Sequence, residues 1–331
     1  MTLISRAQFW KRRLFNVICW GSCVWGLCPV MVYAAETSQN VQLLENNTLL
    51  GKIITLSSNT VVQISSWVAQ PKHPLQSAVE QYAPYVYAYF NSVGKPDIHP
   101  HARLAKVPIL MYHDILPQKL VFFDVTPAEL EQHFQQIQAS GATPISAELL
   151  EIHLRTGIPL PKKPILLTFD DGYGGHYHYV YPLLKKYNYP AVFSIYVKGV
   201  GDNAGRSHVS WEELREMSSN PLVTIASHTV SHPLDLRLMS DEQLQTEIAE
   251  SKRILESQLN IPIRYFTYPV GKFDQRVAKH VYASGYSLAF TMRVDDSILK
   301  FAGDSENLLA VERIGQSKLD YAITQALGGR N

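Results

Sequence analysis

Cysteine is nearly absent from this chain. There are three in 331 residues, Cys19, Cys23 and Cys28, and none beyond. The rest of the chain therefore has neither a disulfide framework nor a thiolate metal site. Cys28 follows Trp25-Gly26-Leu27, a poor match to a lipid-acylation site. Charge is also sparse and balanced, at 18% of residues with a formal net charge of +1. That balance argues against nucleic acid and against a strongly charged partner. No glycine-rich phosphate loop follows any apolar run, which disfavours a nucleotide-binding fold. No segment repeats. Histidine is missing after His280, a gap that matters for choosing an acid.

Hydrophobic residues make up 46% of the chain, enough to bury a substantial core. The first 35 residues stand apart from the rest. Arg6, Lys11, Arg12 and Arg13 precede an apolar stretch from Leu14 to about Val32, and Val32-Tyr33-Ala34 offers small residues at a signal-peptidase site. A cleaved signal peptide is the first reading. The stretch approaches the roughly 20 residues that span a bilayer, so a membrane anchor is the second. The basic flank stays cytoplasmic in both, so the remainder is expected outside the cytoplasm. Residues 36–106 read as an N-terminal extension and linker. Leu75, Val79, Tyr82 and Val86 recur at helical spacing, although Pro84 breaks or kinks such a helix. Residues 94–106 carry Gly, Pro and His and read as linker, with His99 and His101 solvated.

From residue 107 short apolar runs alternate with amphipathic stretches. The runs are Val107–Tyr112, Ala142–Ile145, Ile165–Phe169, Ala191–Val197, Leu222–Ala226, Tyr265–Tyr268, Ser287–Thr291 and Leu309–Ile314. Helical stretches lie at 128–140, 147–155, 179–187, 211–218, 241–259 and 275–283. Thr126-Pro127 and Ser240 mark helix starts. Strands alternating with helices argue for a parallel sheet. The expected fold is an α/β, irregular (β/α) barrel of about seven or eight strands over 107–331, with an open doubly wound sheet as the alternative.

Chemistry in a parallel barrel sits at the carboxyl ends of the strands. Four such ends are polar: Tyr112-His113-Asp114, Asp170-Asp171-Gly172-Tyr173, the segment from Ser227 to His232, and Tyr268-Pro269-Val270-Gly271. In a regular strand Asp170 and Asp171 would point to opposite faces. Gly172 permits a turn that lets them converge; a cap or turn explains such a pair equally well. His228 and His232, four apart, share a face if the segment turns into a helix. Joined to one aspartate they make a two-histidine, one-carboxylate set with open coordination positions. Such a set suits one divalent metal ion, Zn²⁺ first, with Fe²⁺, Co²⁺ or Ni²⁺ compatible.

Thr168-Phe169-Asp170-Asp171-Gly172-Tyr173 and His228-Thr229-Val230-Ser231-His232 resemble the first two motifs of the NodB-homology polysaccharide deacetylases, carbohydrate esterase family 4. The resemblance covers about residues 107–325. It implies Asp170 as general base, with Asp171, His228 and His232 on the metal. Val107–Asp114 further resembles the circularly permuted branch that deacetylates biofilm poly-N-acetylglucosamine. That branch takes its proton donor from the first strand, which here implies His113. The third motif departs from the family: Thr267-Tyr268-Pro269-Val270-Gly271 lacks the usual arginine, and Val270 stands at the customary tyrosine. A backbone N–H near Val270 still serves an oxyanion hole, because any residue but proline supplies one. Arg313, at the end of the last strand, is a substitute for the missing arginine. Tyr173, Tyr268, Pro269 and Val270 are expected against substrate, and Trp211 is a further wall candidate; core packing competes for the aromatic ones. The implied activity is hydrolytic removal of N-acetyl groups from an exported N-acetylated polysaccharide. Peptidoglycan, chitin oligomers, an O-acetylated polymer, or carbohydrate binding by a degenerate site are the alternatives.

Overall fold

A computed structural model describes residues 32–37, 40–45, 54–57, 83–85, 87–92, 94–292 and 299–328. The apolar segment at 14–31 and the positions Leu75, Val79, Tyr82 and Val86 lie outside them. Among the described residues no helix is long and apolar enough to cross a membrane. The chain divides into two units, Met1–Ser77 and Ala78–Asn331. In the first, β1 (Val32–Thr37), β2 (Asn40–Glu45) and β3 (Ile54–Ser57) form an antiparallel sheet in that order.

The second unit is built on eight parallel strands. They are β4 (Ile109–Tyr112), β5 (Thr143–Pro144), β6 (Pro164–Phe169), β7 (Ala191–Ile195), β8 (Val223–Ser227), β9 (Tyr265–Thr267), β10 (Leu288–Met292) and β11 (Val311–Gly315). Each overlaps one of the eight apolar runs, with ends displaced by a residue or two. Their order is β4-β11-β10-β9-β8-β7-β6-β5, and β4 also pairs with β6. Seven strands thus close into a barrel and β5 hangs on β6. Closure excludes the open sheet and makes this an irregular (β/α) barrel.

Helices cover the outside: α1 (Pro127–Ser140), α2 (Ala147–Thr156), α3 (Tyr181–Tyr187), α4 (Trp211–Ser219), α5 (Asp241–Leu244), α6 (Ser251–Leu259), α7 (Gln275–Ala283) and α8 (Leu319–Gln325). Capping boxes at Thr126 and Ser240 start α1 and α5 where the sequence marks them. π turns at His176–Val180 and Gln245–Glu250 lead into α3 and α6.

Alternate strand residues enter two separate clusters. Leu110, Leu167, Phe169, Phe193 and Ile225 pack with helix residues such as Phe134, Leu184 and Leu214. Ile109, Leu166, Val192 and Ala226 pack instead with Leu150 and Leu154 of α2. Period-2 alternation assigns the first set to the helix-covered outside and the second to the barrel interior. Ile98, Ala102 and Ala105, within the segment read as linker, are buried in the interior cluster. There the 3₁₀ turn Pro100–Leu104 lies against the barrel, and Arg103 donates to the carbonyls of Gly303 and Ser305.

Continuing the alternation toward the strand ends changes the chemistry. Thr168, Ser194, Thr267, Arg313 and Asp170 follow the interior positions, and all are buried. The Ser194 and Thr267 hydroxyls bond at 2.8 Å, and Thr168 Oγ1 donates to the Leu110 carbonyl at 2.9 Å. The barrel is thus apolar below and hydrogen-bonded above, where the polar strand ends gather.

Candidate metal centre and catalytic cleft

Asp170 keeps the inward direction of its strand and is 2% exposed. A lone buried carboxylate is costly, and here it has a matched partner. Arg313 from β11 grips it with two parallel bonds, Nη1 to Oδ1 and Nη2 to Oδ2, both 2.7 Å. Arg313 Nη1 also donates to Thr168 Oγ1 and its Nε to the Thr291 carbonyl, both at 3.2 Å. Burial opposes ionisation of Asp170, but the guanidinium outweighs it and holds the pKa at about 2. Arg313 is thus paired with Asp170, the carboxylate expected to serve as base.

Asp171 breaks the strand with φ 75° and swings beside Asp170. Its Oδ1 lies 3.4 Å from His228 Nε2 and 3.3 Å from His232 Nε2. One ligating atom from each of these three residues lies within 4.8 Å of the others. His228, 2% exposed, donates from Nδ1 to the Thr267 carbonyl at 2.7 Å, which leaves the Nε2 lone pair facing Asp171. Burial disfavours a charged His228, but Asp171 outweighs it and raises the pKa. His232 moves the other way, lowered by burial and by His228. Asp171 Oδ1 is buried without a hydrogen-bond partner. A buried carboxylate oxygen aimed at two imidazole lone pairs is the donor set of a divalent-metal site, so the residues fit such an ion.

The two histidines do not converge through a helix. Residues 228–232 form an irregular turn with left-handed Thr229 (φ 72°) and His232 (φ 55°). Glu247, on the π turn, holds it: Oε2 accepts from the N–H groups of Val230 and Ser231, and Oε1 from the Ser231 hydroxyl. Thr229 Oγ1 accepts the His232 N–H at 3.0 Å. Four of the six non-glycine residues with positive φ are Asp171, Thr229, His232 and Val270. The other two, Asn188 and Asn260, are helix C-caps, so uncapped backbone strain among the described residues concentrates here.

His113 follows β4; burial opposes ionisation of both aspartates, and Arg313 for Asp170 and His228 for Asp171 lower the pKa more than the nearby His113 does. Its ring packs on Phe123 at 4.9 Å, and its Nδ1 is buried without a partner. Sequence reasoning missed His176, which is fully buried. His176 Nε2 donates to the His113 carbonyl at 2.9 Å, and burial lowers its pKa to about 4. A cavity of about 300 Å³ opens beside the candidate metal ligands, lined by Asp171, Tyr173, Tyr196, Ser231 and His232. Tyr173 is half-buried there and stacks on His208 at 5.1 Å, and the Tyr196 hydroxyl bonds His208 Nε2 at 3.0 Å. Nothing local in the sequence marks Tyr196 or His208.

The third motif divides. Val270 is half-buried in a left-handed conformation, φ 55° and ψ 11°. Tyr268, expected against substrate, is fully buried and stacks on Phe273 at 4.3 Å. It is a core residue because its strand parity turns it outward, among the residues packed beneath the helices. Pro269 is buried too. Trp211 also packs on this core, at the start of α4.

Residues 157–289 match the profile of a family described as polysaccharide deacetylase. His113 and Arg313 lie outside that stretch. YxkH of Bacillus subtilis (strain 168), a protein named for polysaccharide deacetylase activity, is 31% identical over 187 residues, 56% of this chain and just under two thirds (64%) of its own length. The poly-beta-1,6-N-acetyl-D-glucosamine N-deacetylase of Escherichia coli (strain K12) is 24% identical over 210 residues. That alignment spans 52% of this chain and 31% of the relative. Among solved structures, IcaB from Ammonifex degensii superposes with a TM-score of 0.58 at 26% identity, covering 67% of this chain and 97% of IcaB. The Streptococcus pyogenes deacetylase PplD, in complex with acetate, gives 0.58 at 27% identity, covering 67% and 98%.

Proposed function

We propose that this chain is a metal-dependent polysaccharide deacetylase, a hydrolase that removes N-acetyl groups from an extracytoplasmic polysaccharide, poly-N-acetylglucosamine. The observation that carries the reading is the convergence of Asp171, His228 and His232 within 4.8 Å, with the clamped carboxylate of Asp170 beside them. The chemistry that a divalent ion supplies when bound is Lewis acidity, which makes water a better nucleophile and polarises the acetamide carbonyl.

The chain's own residues do the rest. Asp170, kept ionised and oriented by Arg313, accepts a proton from the attacking water. A backbone N–H at the strained turn of Val270 donates to the oxygen of the tetrahedral intermediate. His113, in its protonated form, gives its proton to the departing nitrogen as the C–N bond breaks. The products are acetate and a free amine on the sugar. Tyr173 and Tyr196 line the cavity as apolar faces for a pyranose ring. The polymer is inferred from the name of the Escherichia coli relative and from the placement of His113 on the first barrel strand. Location outside the cytoplasm rests on the basic and apolar character of residues 6–32.

Metal content and acetate release, measured together on the chain from residue 36, test this reading. The expected result is about one divalent ion per chain, with acetate released from β-1,6-linked N-acetylglucosamine oligomers and lost on chelation. Release from peptidoglycan or chitin oligomers in preference would move the substrate, and absence of both metal and acetate would remove the function.

A further inference from the structure

An ion pair between two buried aspartates and the part-buried Arg206 joins two loops near the proposed cleft. One loop leaves β4 at His113 and returns at Val125, its base closed by bonds from Leu116 N–H to the Val125 carbonyl (3.0 Å) and from Val125 N–H to the Asp114 carbonyl (3.2 Å). The other runs from Gly201 to Ser210 and carries Arg206. Arg206 grips Asp124 with both arms of its fork, Nη1 to Oδ1 at 2.7 Å and Nη2 to Oδ2 at 2.9 Å. Nη1 also reaches Asp114 Oδ2 at 3.4 Å. Both aspartates are 1% exposed. Asp124 Oδ2 further accepts the N–H groups of Leu120 and Val121. On its other side the guanidinium lies 5.4 Å from the centre of the Tyr173 ring.

Such a pair is expensive to bury and is kept where it fixes an arrangement. Asp114 is bonded in sequence to His113, and Asp124 to Phe123, whose ring packs on His113 at 4.9 Å. One guanidinium therefore reaches both chain neighbours of the His113–Phe123 pair and the cleft-lining Tyr173. We propose that Arg206 is a positioning residue, which fixes the loop bearing His113 against the Tyr173 wall by pairing with Asp124 and Asp114. This rests on the role of His113 as proton donor. Without the latch His113 remains present but drifts from the leaving nitrogen, and misplacement by about 1 Å costs on the order of 100-fold.

The test uses Arg206→Ala and Asp124→Asn in the metal-loaded chain, each alone and with His113→Ala. Each single change should lower kcat by about 10- to 100-fold with KM within about threefold and metal content unchanged. In the His113→Ala background neither should lower kcat further, because both act through His113. Arg206→Lys keeps the charge but loses the fork and should not restore kcat. Arg237→Ala, at an exposed pair with Asp235, is the control that leaves kcat alone. Independently of activity, trypsin should nick Arg206→Ala after Lys119, beside the tethered Leu120 and Val121 N–H groups, several-fold faster than the parent. A kcat within threefold of the parent, an equal loss in the His113→Ala background, or unchanged nicking would overturn the proposal. If the parent chain released no acetate from any polymer, the function would fall and nicking alone would decide the latch.

Discussion

His176 and Arg313 show how single side chains serve this site from beneath. His176 is fully buried against Phe169 and Phe193, with ring centres 5.7 and 5.5 Å away. Its folded pKa is depressed to about 4, so the unfolded chain takes the proton first as pH falls. Stability is therefore full above about pH 6.5 and declines as pH drops toward about 4, by about 3 kcal/mol in all. His176→Gln, which keeps a donor but does not titrate, should flatten that decline in urea midpoints measured between pH 7 and 5. Arg313→Met leaves the Asp170 carboxyl buried without its partner, free to take up a proton. It should cost about 3–5 kcal/mol in urea unfolding and abolish turnover. At the metal itself, Asp171→Ala or His228→Ala should lose bound ion and activity together, while Asp170→Asn keeps the ion and loses turnover. Acetate release surviving in Asp170→Asn would remove it as the base. Asp170, Asp171, His228 and His232 were legible because each stands in a short motif after an apolar run. His176 and Arg206 were not, since their partners lie 63 and 82 residues away.

At the scale of elements the turn after β9 is the most constrained. Val270 is β-branched with φ 55°, a conformation that costs on the order of 1–3 kcal/mol and persists only where surroundings impose it. Val270→Gly should raise stability by about 1 kcal/mol, yet lower turnover if the strain aims the backbone N–H. Gly271 follows with φ 69°, and a Cβ there would stand 2.4 Å from the Met292 carbonyl oxygen. Gly271→Ala should therefore cost more than about 2 kcal/mol by thermal or urea melting, because both backbones must move. Strand spans and those of α1 to α4 and α7 followed from periodicity, with ends displaced by a residue or two, whereas α8 lay outside every stretch read as helical and 241–259 proved to be α5 and α6 on either side of a π turn. The π turns were not read, because the i→i+5 bonding that defines them is a backbone feature with no residue signature of its own. The irregular turn of 228–232 was hidden for a related reason. Spacing alone cannot distinguish a helical i,i+4 pair from a loop folded around Glu247.

Across the whole molecule, closure of the barrel is the event that makes the site. β4 meets both β6 and β11, which brings His113, Asp170 and Arg313 from distant parts of the sequence to one rim. The lower end is closed by residues before the first barrel strand. Ile98, Ala102 and Ala105 fill the interior cluster, and Arg155 donates to the Ser92 and Lys95 carbonyls. A chain starting at residue 107 should accordingly melt several degrees below one starting at 78, as read by calorimetry, because it uncovers that cluster and takes both acceptors from Nη1 of the buried Arg155. The sequence by itself determined the alternation of strands and helices, the polar strand ends, and the aspartate and histidines that could share an ion, since these are local patterns of period and motif. Only the tertiary structure decided that the sheet closes, that Arg313 clamps Asp170, that Tyr268 belongs to the core, and that Arg206 ties the His113 loop to the Tyr173 wall. Those depend on which strands become neighbours and which face each residue presents, and both are fixed by packing between segments far apart in the chain.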